Sequence, residues 1–424
     1  WDLSFLKGTN ICLAPSGEFF VKDGSAVLPA IMKRKYGFRK AHKNEQIALE
    51  AKYEKTKDKK YEEQAVLAYI QQNAEKVTLN SGYGACASPF FRYFDYRIAR
   101  TITVTGRYMI KTVAAHLNAK LNELLGTTNG DYWCYGDTDS IYFQFEKVLE
   151  LLQKEFPDGD PVDLLDTFLK EVVSVWIDEH SQISADYFNA EKTMRMKREI
   201  IANVSMWRSV KKHYIMNLRD KEGVRYTEPE VHMKGTTFIK TSMPQICRKE
   251  FKKFVGKLME LYWEKKDFVY TREGNRVVKG WIDDFKKVFK SSNPKVIASG
   301  VSVNNIEKYS DPETMTTTKG AGINVKASVA YNRFIQENGL IQKGYETILS
   351  GSKMRYVELV DDNPYNSNAF GFVDRVPEGF DLRYIDHDRM FMKNFGNTVQ
   401  DLLDDLGIAV EVASEEKDCD DVWS

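Results

Sequence analysis

Trp133-Cys134-Tyr135-Gly136-Asp137-Thr138-Asp139-Ser140-Ile141-Tyr142-Phe143 is the stretch whose reading decides the fold. Aromatic and apolar residues on both sides predict two short strands, and Gly136 followed by an Asp/Thr/Asp/Ser cluster predicts the tight turn between them. The result is a β-hairpin tipped with carboxylates. If the backbone stays extended through the tip, Asp137 and Asp139, two apart, project to the same side and can converge on one divalent cation. An Asp-x-Asp also serves as a plain Asx turn that satisfies nearby backbone N–H groups. The choice between the two depends on the rest of the chain.

Upstream lies Lys76-Val77-Thr78-Leu79-Asn80-Ser81-Gly82-Tyr83-Gly84. Positions 76, 80, 83 and 84 fall on one helix face, so a cation, an amide and a phenol line up in a stripe that suits a triphosphate, a sugar edge and a base. Earlier still, Arg39 and Lys43 in Arg39-Lys40-Ala41-His42-Lys43 are four apart and share a face. Lys-x-x-x-Asn-Ser-x-Tyr-Gly followed by Tyr-Gly-Asp-Thr-Asp-Ser resembles motifs B and C of the family B DNA polymerases, and further matches resemble the replicative polymerases of T-even-type phages. Gly82 departs from the family, which usually has an apolar residue there. A glycine within a helix costs about 1 kcal/mol relative to alanine, so a close approach or a local irregularity is expected at that position.

The 424 residues are too many for one compact core and predict two to four subdomains. With 42% apolar and 12% aromatic residues the chain can fill them, which excludes a disordered protein. Basic and acidic residues balance at 61 each, so net charge says nothing of a nucleic-acid partner, but its distribution does. Lys33 to Lys60 holds eleven basic residues against four acidic ones, whereas Asp401 to Asp421 holds nine acidic residues against Lys417 alone. A basic stripe suits phosphates, although it also serves as a solvated helix face. Five scattered cysteines without a Cys-x-x-Cys spacing point to free thiols in a reducing compartment and away from structural zinc, and the six histidines show no ligand spacing. With no transmembrane-length run and no signal-peptide pattern, a soluble protein of the cytoplasm is expected, the host's if the source is viral, with no membrane partner.

Along the chain, Asn10 to Val27 reads as a hairpin. Leu28 to Tyr53 and Tyr61 to Tyr83 read as two antiparallel helices forming an arm with a Lys-rich tip. A long helix with Ile98, Ile102, Met109, Val113, Leu117, Leu121 and Leu125 on its core stripe ends at Gly126. Pro161 to His180 reads as a further helix, Thr193 to Asn203 as strand-like, and the region from Pro244 onward as mostly helical, with a short strand at Met354 to Val360 and a last amphipathic helix after Tyr384.

The resemblance spans about Cys12 to Val410 and implies an α+β fold of the polymerase right-hand type: an antiparallel palm sheet, a helical fingers arm and a mostly helical thumb. It places a palm-edge hairpin at 1–27, fingers at 28–84, palm at 85–240, thumb at 241–410 and an acidic tail at 411–424. It implies template-directed DNA synthesis from dNTPs on a primer-template, with two Mg²⁺ ions, or Mn²⁺, held by Asp137, Asp139 and, in the family's third-carboxylate region, Glu199. Lys197 stands where the phage polymerases carry an Asp. The triphosphate would meet Arg39, Lys43 and Lys76, and Asn80 and Tyr83 would meet the sugar and base. In Trp207-Arg208-Ser209-Val210-Lys211-Lys212-His213-Tyr214, which resembles the family's Lys-x-Tyr element, Lys211, Lys212 and Tyr214 would contact DNA, with Lys234 on a backbone phosphate.

The family's motif A, of the type Asp-x-x-Ser-Leu-Tyr-Pro-Ser, does not occur here, and Asp2-Leu3-Ser4-Phe5-Leu6 cannot stand in for it. The expectation is therefore the carboxy-terminal part of a split or truncated polymerase, whose amino-terminal partner chain supplies motif A and the exonuclease. Val422 and Trp423 are the tail residues that a sliding clamp could take. The competing reading is a non-catalytic DNA-binding or scaffolding subunit. Against it stands the retention of Arg39, Lys43, Lys76, Asn80, Asp137 and Asp139 together.

Overall fold

The computed structural model describes residues 2–22, 26–235, 243–311 and 313–412. Asp23-Gly24-Ser25, Thr236 and the acidic tail beyond 412, with Cys419, Val422 and Trp423, lie outside the described residues. The fold is α+β, and the chain divides into two compact units. The first is Trp1–Ala202 with Leu218–Glu228, and the second is Asn203–Asn217 with Pro229–Ser424.

The first unit opens with the expected hairpin, β1 (Ile11–Leu13) antiparallel to β2 (Phe19–Val21), Ile11 opposite Val21. The arm follows as α1 (Val27–Thr56) and α2 (Lys59–Cys86), each a few residues longer than the periodicity predicts. Lys57, in the left-handed region at φ 54°, ends α1, and the Asp58 side chain caps α2 by accepting from the Lys60 N–H. The two helices run antiparallel, Lys35 Nζ lying 3.2 Å from Glu75 Oε2 and Lys52 above the Tyr61 ring. At Gly82 the helix continues unbroken, and the Met32 thioether occupies the space a side chain would take: a Cβ there would sit 2.2 Å from Met32 Cε.

α3 (Tyr96–Leu125) ends at Gly126, whose φ of 63° closes the last turn. Met109, Val113, Leu117 and Leu121 are buried as the stripe predicts, whereas Ile102 is exposed. Apart from Ala99 in the first turn, the fully buried residues of α3 lie from Met109 onward. The hairpin of β3 (Trp133–Asp137) and β4 (Ser140–Phe143) pairs Asp137 with Ser140. Phe143 and Phe145 seat it among Val113, Leu121 and Val148, the last from α4 (Glu146–Glu155). α5 (Pro161–Phe168) passes through a π-helical segment, Leu169–Val173, into α6 (Ser174–Tyr187). The strand expected from Thr193 begins only at Ile200. Residues 191–199 form no regular element; Lys192 pairs with Asp178, Arg198 pairs with Asp166 and Asp220, and the Glu199 carbonyl accepts from the Glu222 N–H.

β5 (Ile200–Trp207), β6 (Tyr214–Lys221) and β7 (Val224–Lys234) are hydrogen-bonded in that order, and the division between the units falls within each strand. The second unit packs α7 (Gln245–Lys265) and α8 (Arg272–Ser291) around a phenylalanine cluster of Phe251, Phe254, Phe285, Phe289, Phe391 and Phe395. Phe285 and Phe395 lie 4.6 Å apart between centroids. Each such buried ring contributes about 2–3 kcal/mol. This unit is less purely helical than expected: Lys353–Glu358, close to the predicted strand, pairs antiparallel with β8 (Ser299–Ser302) on one side and Ala369–Phe372 on the other.

Candidate active site

At the hairpin tip the backbone is not extended, contrary to the condition under which Asp137 and Asp139 would project to one side. Thr138 adopts φ 55°, and the Asp139 N–H donates back to the Asp137 carbonyl at 2.6 Å. A β-branched residue in the left-handed region is a strained conformation. It is held by two side-chain bonds: Thr138 Oγ1 donates to Asp137 Oδ1 at 3.0 Å, and Ser140 Oγ donates to the Asp137 carbonyl at 3.1 Å. Asp137 is half-buried and Asp139 exposed. Asp139 borders a pocket of about 130 Å³ together with Met109 and Val113 of α3 and with Arg195 and Met196. Among the described residues no group of three or more His, Cys, Asp or Glu side chains is placed to hold a metal ion. The two aspartates offer hard oxygen donors of the kind Mg²⁺ or Mn²⁺ takes, but two carboxylates are fewer than such a site requires.

On the arm, Lys43 forms an ion pair with Glu222, both side chains partly buried. Arg39, one turn earlier, is half-buried, and its Nε is buried without a hydrogen-bond partner among the described residues. Lys76, Asn80 and Tyr83 on α2 are exposed.

Glu222 lies in the two-residue turn between β6 and β7, and its N–H donates to the Glu199 carbonyl at 2.6 Å. The segment 195–199 therefore meets the arm's cation through Glu222 at one end and the Asp139 pocket through Met196 at the other. The Glu199 side chain itself is exposed.

That segment is fastened by Arg198, which pairs with Asp220 and, at 2.5 Å, with Asp166 of α5. Asp220 is almost wholly buried and also accepts from the Gly223 N–H at 3.0 Å. Burial pushes the Asp166 carboxyl up, but Lys170 at 2.6 Å and Arg198 together outweigh it and hold the group below the usual carboxylate value. No sequence pattern announces the roles of Arg198 and Glu222. The one available signal is Glu222-Gly223 in a turn position where Asn-Gly or Asp-Gly is preferred.

The expected DNA-contacting residues lie in the second unit. Lys211 and Lys212 sit at the tip of the β5–β6 connection, Lys212 at φ 64°, and both are exposed. Tyr214, expected to contact DNA, is buried at 2% exposure, with its ring 5.2 Å from Trp207. Lys234 is exposed and lies 5.7 Å from the Tyr214 ring centroid, so a ligand approaching this surface meets Lys234 before Tyr214. Arg208 is taken by Asp405 at 2.6 Å. Cys12, Cys86, Cys134 and Cys247 are free thiols. No helix among the described residues is long and apolar enough to cross a membrane.

A strained, acid-tipped hairpin and a cationic helical arm thus meet one ion-paired segment within the first unit, and comparison with known proteins gives the chain a family. The chain matches the family model "DNA polymerase family B" over residues 7–152 and "Divergent Family B DNA polymerase" over residues 130–282. It belongs to the family B DNA polymerases. It is 28% identical over 374 residues to the DNA-directed DNA polymerase of Enterobacteria phage T4, covering 82% of this chain and 38% of that protein. It is 27% identical over 411 residues to that of Escherichia phage RB69, covering 85% and 43%. The chain thus spans about two fifths of the length of these relatives. The solved structure of the family B DNA polymerase from the hyperthermophilic archaeon Pyrobaculum calidifontis is similar at a TM-score of 0.49 and 18% identity, over 96% of this chain and 41% of that one.

Proposed function

We propose that the chain forms the fingers (28–84), palm (85–240) and thumb (241–410) of a DNA polymerase that adds dNTPs to a primer 3′-hydroxyl. The observation that carries this reading is that the arm's cation and the acidic hairpin reach one anchored segment, 195–199, within a single folded unit. Arg39 gives the triphosphate a forked donor, Lys43 and Lys76 give point charges, and Asn80 and Tyr83 face the sugar and base. Asp137 and Asp139 are the carboxylates this chain brings to two divalent ions, with Glu199 nearby on the anchored segment. When bound, such ions activate the primer hydroxyl and neutralise charge on the triphosphate. The remaining carboxylate comes from a segment bearing motif A, on the same or another polypeptide. Lys234 neutralises a primer-template backbone phosphate, which makes binding salt-sensitive, while Lys212, beside Lys211, bonds to sugar or base edges. Tyr214 supports Lys234 from beneath.

Primer extension tests the reading. Residues 1–424 by themselves should bind primer-template without extending it. Extension should appear when a segment carrying motif A and the exonuclease is added, and should vanish in Asp139→Ala. Robust extension by this chain alone would refute the divided site, and extension by the complemented Asp139→Ala protein would refute the role of the hairpin.

A further inference from the structure

Lys43 does not wait in solvent for a nucleotide, because its ammonium is already engaged by the Glu222 carboxylate. Glu222 and Gly223 form the whole connection between β6 and β7, with φ of 52° and 90°. Two successive positive φ values define the hairpin turn in which Asn or Asp normally precedes Gly, since a short side chain tolerates the left-handed region and a longer one gains nothing from it locally. A glutamate here bears strain that the turn itself does not require, while its extra methylene carries the carboxylate out to α1. The turn is also fixed, with the Glu222 N–H bound to the Glu199 carbonyl at 2.6 Å and the Gly223 N–H bound to Asp220 Oδ1 at 3.0 Å. The carboxylate is thus presented to the arm from a rigid mount. One turn back on α1, Arg39 Nε is buried and has no partner among the described residues, so the same stretch of helix holds one donor without an acceptor beside one cation that is already neutralised.

We propose that Glu222 is a counter-ion that competes with the nucleotide's triphosphate for Lys43, exchanging a carboxylate for phosphate oxygens when nucleotide binds and thereby setting nucleotide affinity. The inference rests on the reading of Lys43 as a triphosphate contact. A carboxylate carries one negative charge and a bound triphosphate several, so the exchange runs toward the nucleotide. Until it happens, Glu222 both occupies the ammonium and repels the incoming anion, and apparent affinity is reduced by the fraction of molecules in which Lys43 is held. Glu222 is a positioning residue in this scheme and touches no reacting atom.

The test is a titration of the full chain with a fluorescent Mg-dATP analogue, read by anisotropy, for wild type, Lys43→Ala, Glu222→Gln and Glu222→Asn. Asn suits the turn and removes the reach to α1, so it preserves the hairpin if Gln disturbs it. Both Glu222 variants should bind more tightly than wild type, by up to about five-fold, the range expected when one partly exposed ion pair is released. Lys43→Ala should bind more weakly, and adding Glu222→Gln to it should restore little. A purely structural tie between arm and turn predicts the opposite for the Glu222 variants, unchanged or weaker binding. That result, with Lys43→Ala still weakened, overturns the counter-ion proposal and leaves the nucleotide site standing. If Lys43→Ala binds as wild type does, or if neither wild type nor the Glu222 variants bind at all, the triphosphate role of Lys43 falls instead and the proposal falls with it.

Discussion

Replacing Asp220 by alanine removes one of the two carboxylates that hold Arg198 and, through it, the 195–199 segment. Asp220 is 2% exposed, pairs with Arg198 Nη1, accepts from the Gly223 N–H at 3.0 Å and faces Arg225 Nε at 3.8 Å. Removing one member of a buried ion pair costs about 3–5 kcal/mol because the other charge is left without compensation. Arg198 keeps Asp166, which puts the expected loss at the lower end, about 3 kcal/mol, with the stranded Gly223 N–H included in that figure. Asp220→Asn keeps an acceptor for Gly223 and should cost about half as much. Because two compact units need not unfold together, the loss should be read locally, by native-state hydrogen exchange of peptides covering 195–202 and 218–228 of the first unit. An alanine variant whose opening free energy there lies within about 0.5 kcal/mol of wild type, the range of an ordinary surface change, would show that this network does not hold the segment.

Gly235 has φ 73°, and a Cβ there would lie 2.2 Å from the Lys212 carbonyl oxygen. Gly235→Ala should therefore shift the Lys211–His213 turn and lower primer-template affinity in an anisotropy titration while the core of the second unit stays folded. Unchanged affinity would separate this turn from DNA binding. In the first unit, the His116 and His180 rings stack at 4.9 Å. Burial, then Lys120, holds His116 below its usual value against the opposing pull of Glu179, and burial, then His116, does the same for His180. Both histidines of the unfolded chain take up protons near 6.5 and those of the folded chain only at lower pH, so stability should fall as pH drops below 6.5 and level off beneath the folded values. Thermal melts across this window should show the slope, and His116→Gln should flatten it.

The hairpin and the arm were legible because their signals are local. Turn residues at 136–140 lie between aromatic runs, and the arm's helical stretches carry few breakers. The paired antiparallel helices formed although α1 buries no residue fully, which periodicity alone could not have foretold. What escaped the sequence depends on partners distant along the chain. Residues 191–199 have side chains compatible with a strand, but Arg198 is claimed by Asp166 and Asp220, and no pattern within the segment reports that. Tyr214 carries the expected residue type at the expected place, yet Trp207 and Lys234 cover it. In α3 the apolar stripe includes Ile102, which the surrounding elements leave exposed although Ala99 in the same region is buried.

The bond from Thr138 to Asp137 has a thermodynamic consequence. With the backbone locked at the tip and one carboxylate oxygen already claimed by the neighbouring hydroxyl, Asp137 has few rotamers to lose when a cation arrives. On the proposed role of Asp137 as a metal ligand, affinity at this hairpin would be governed by how many further oxygens reach the ion rather than by the ordering of the loop. Replacing Thr138 with glycine would relax the backbone and leave the acid side chain to wander.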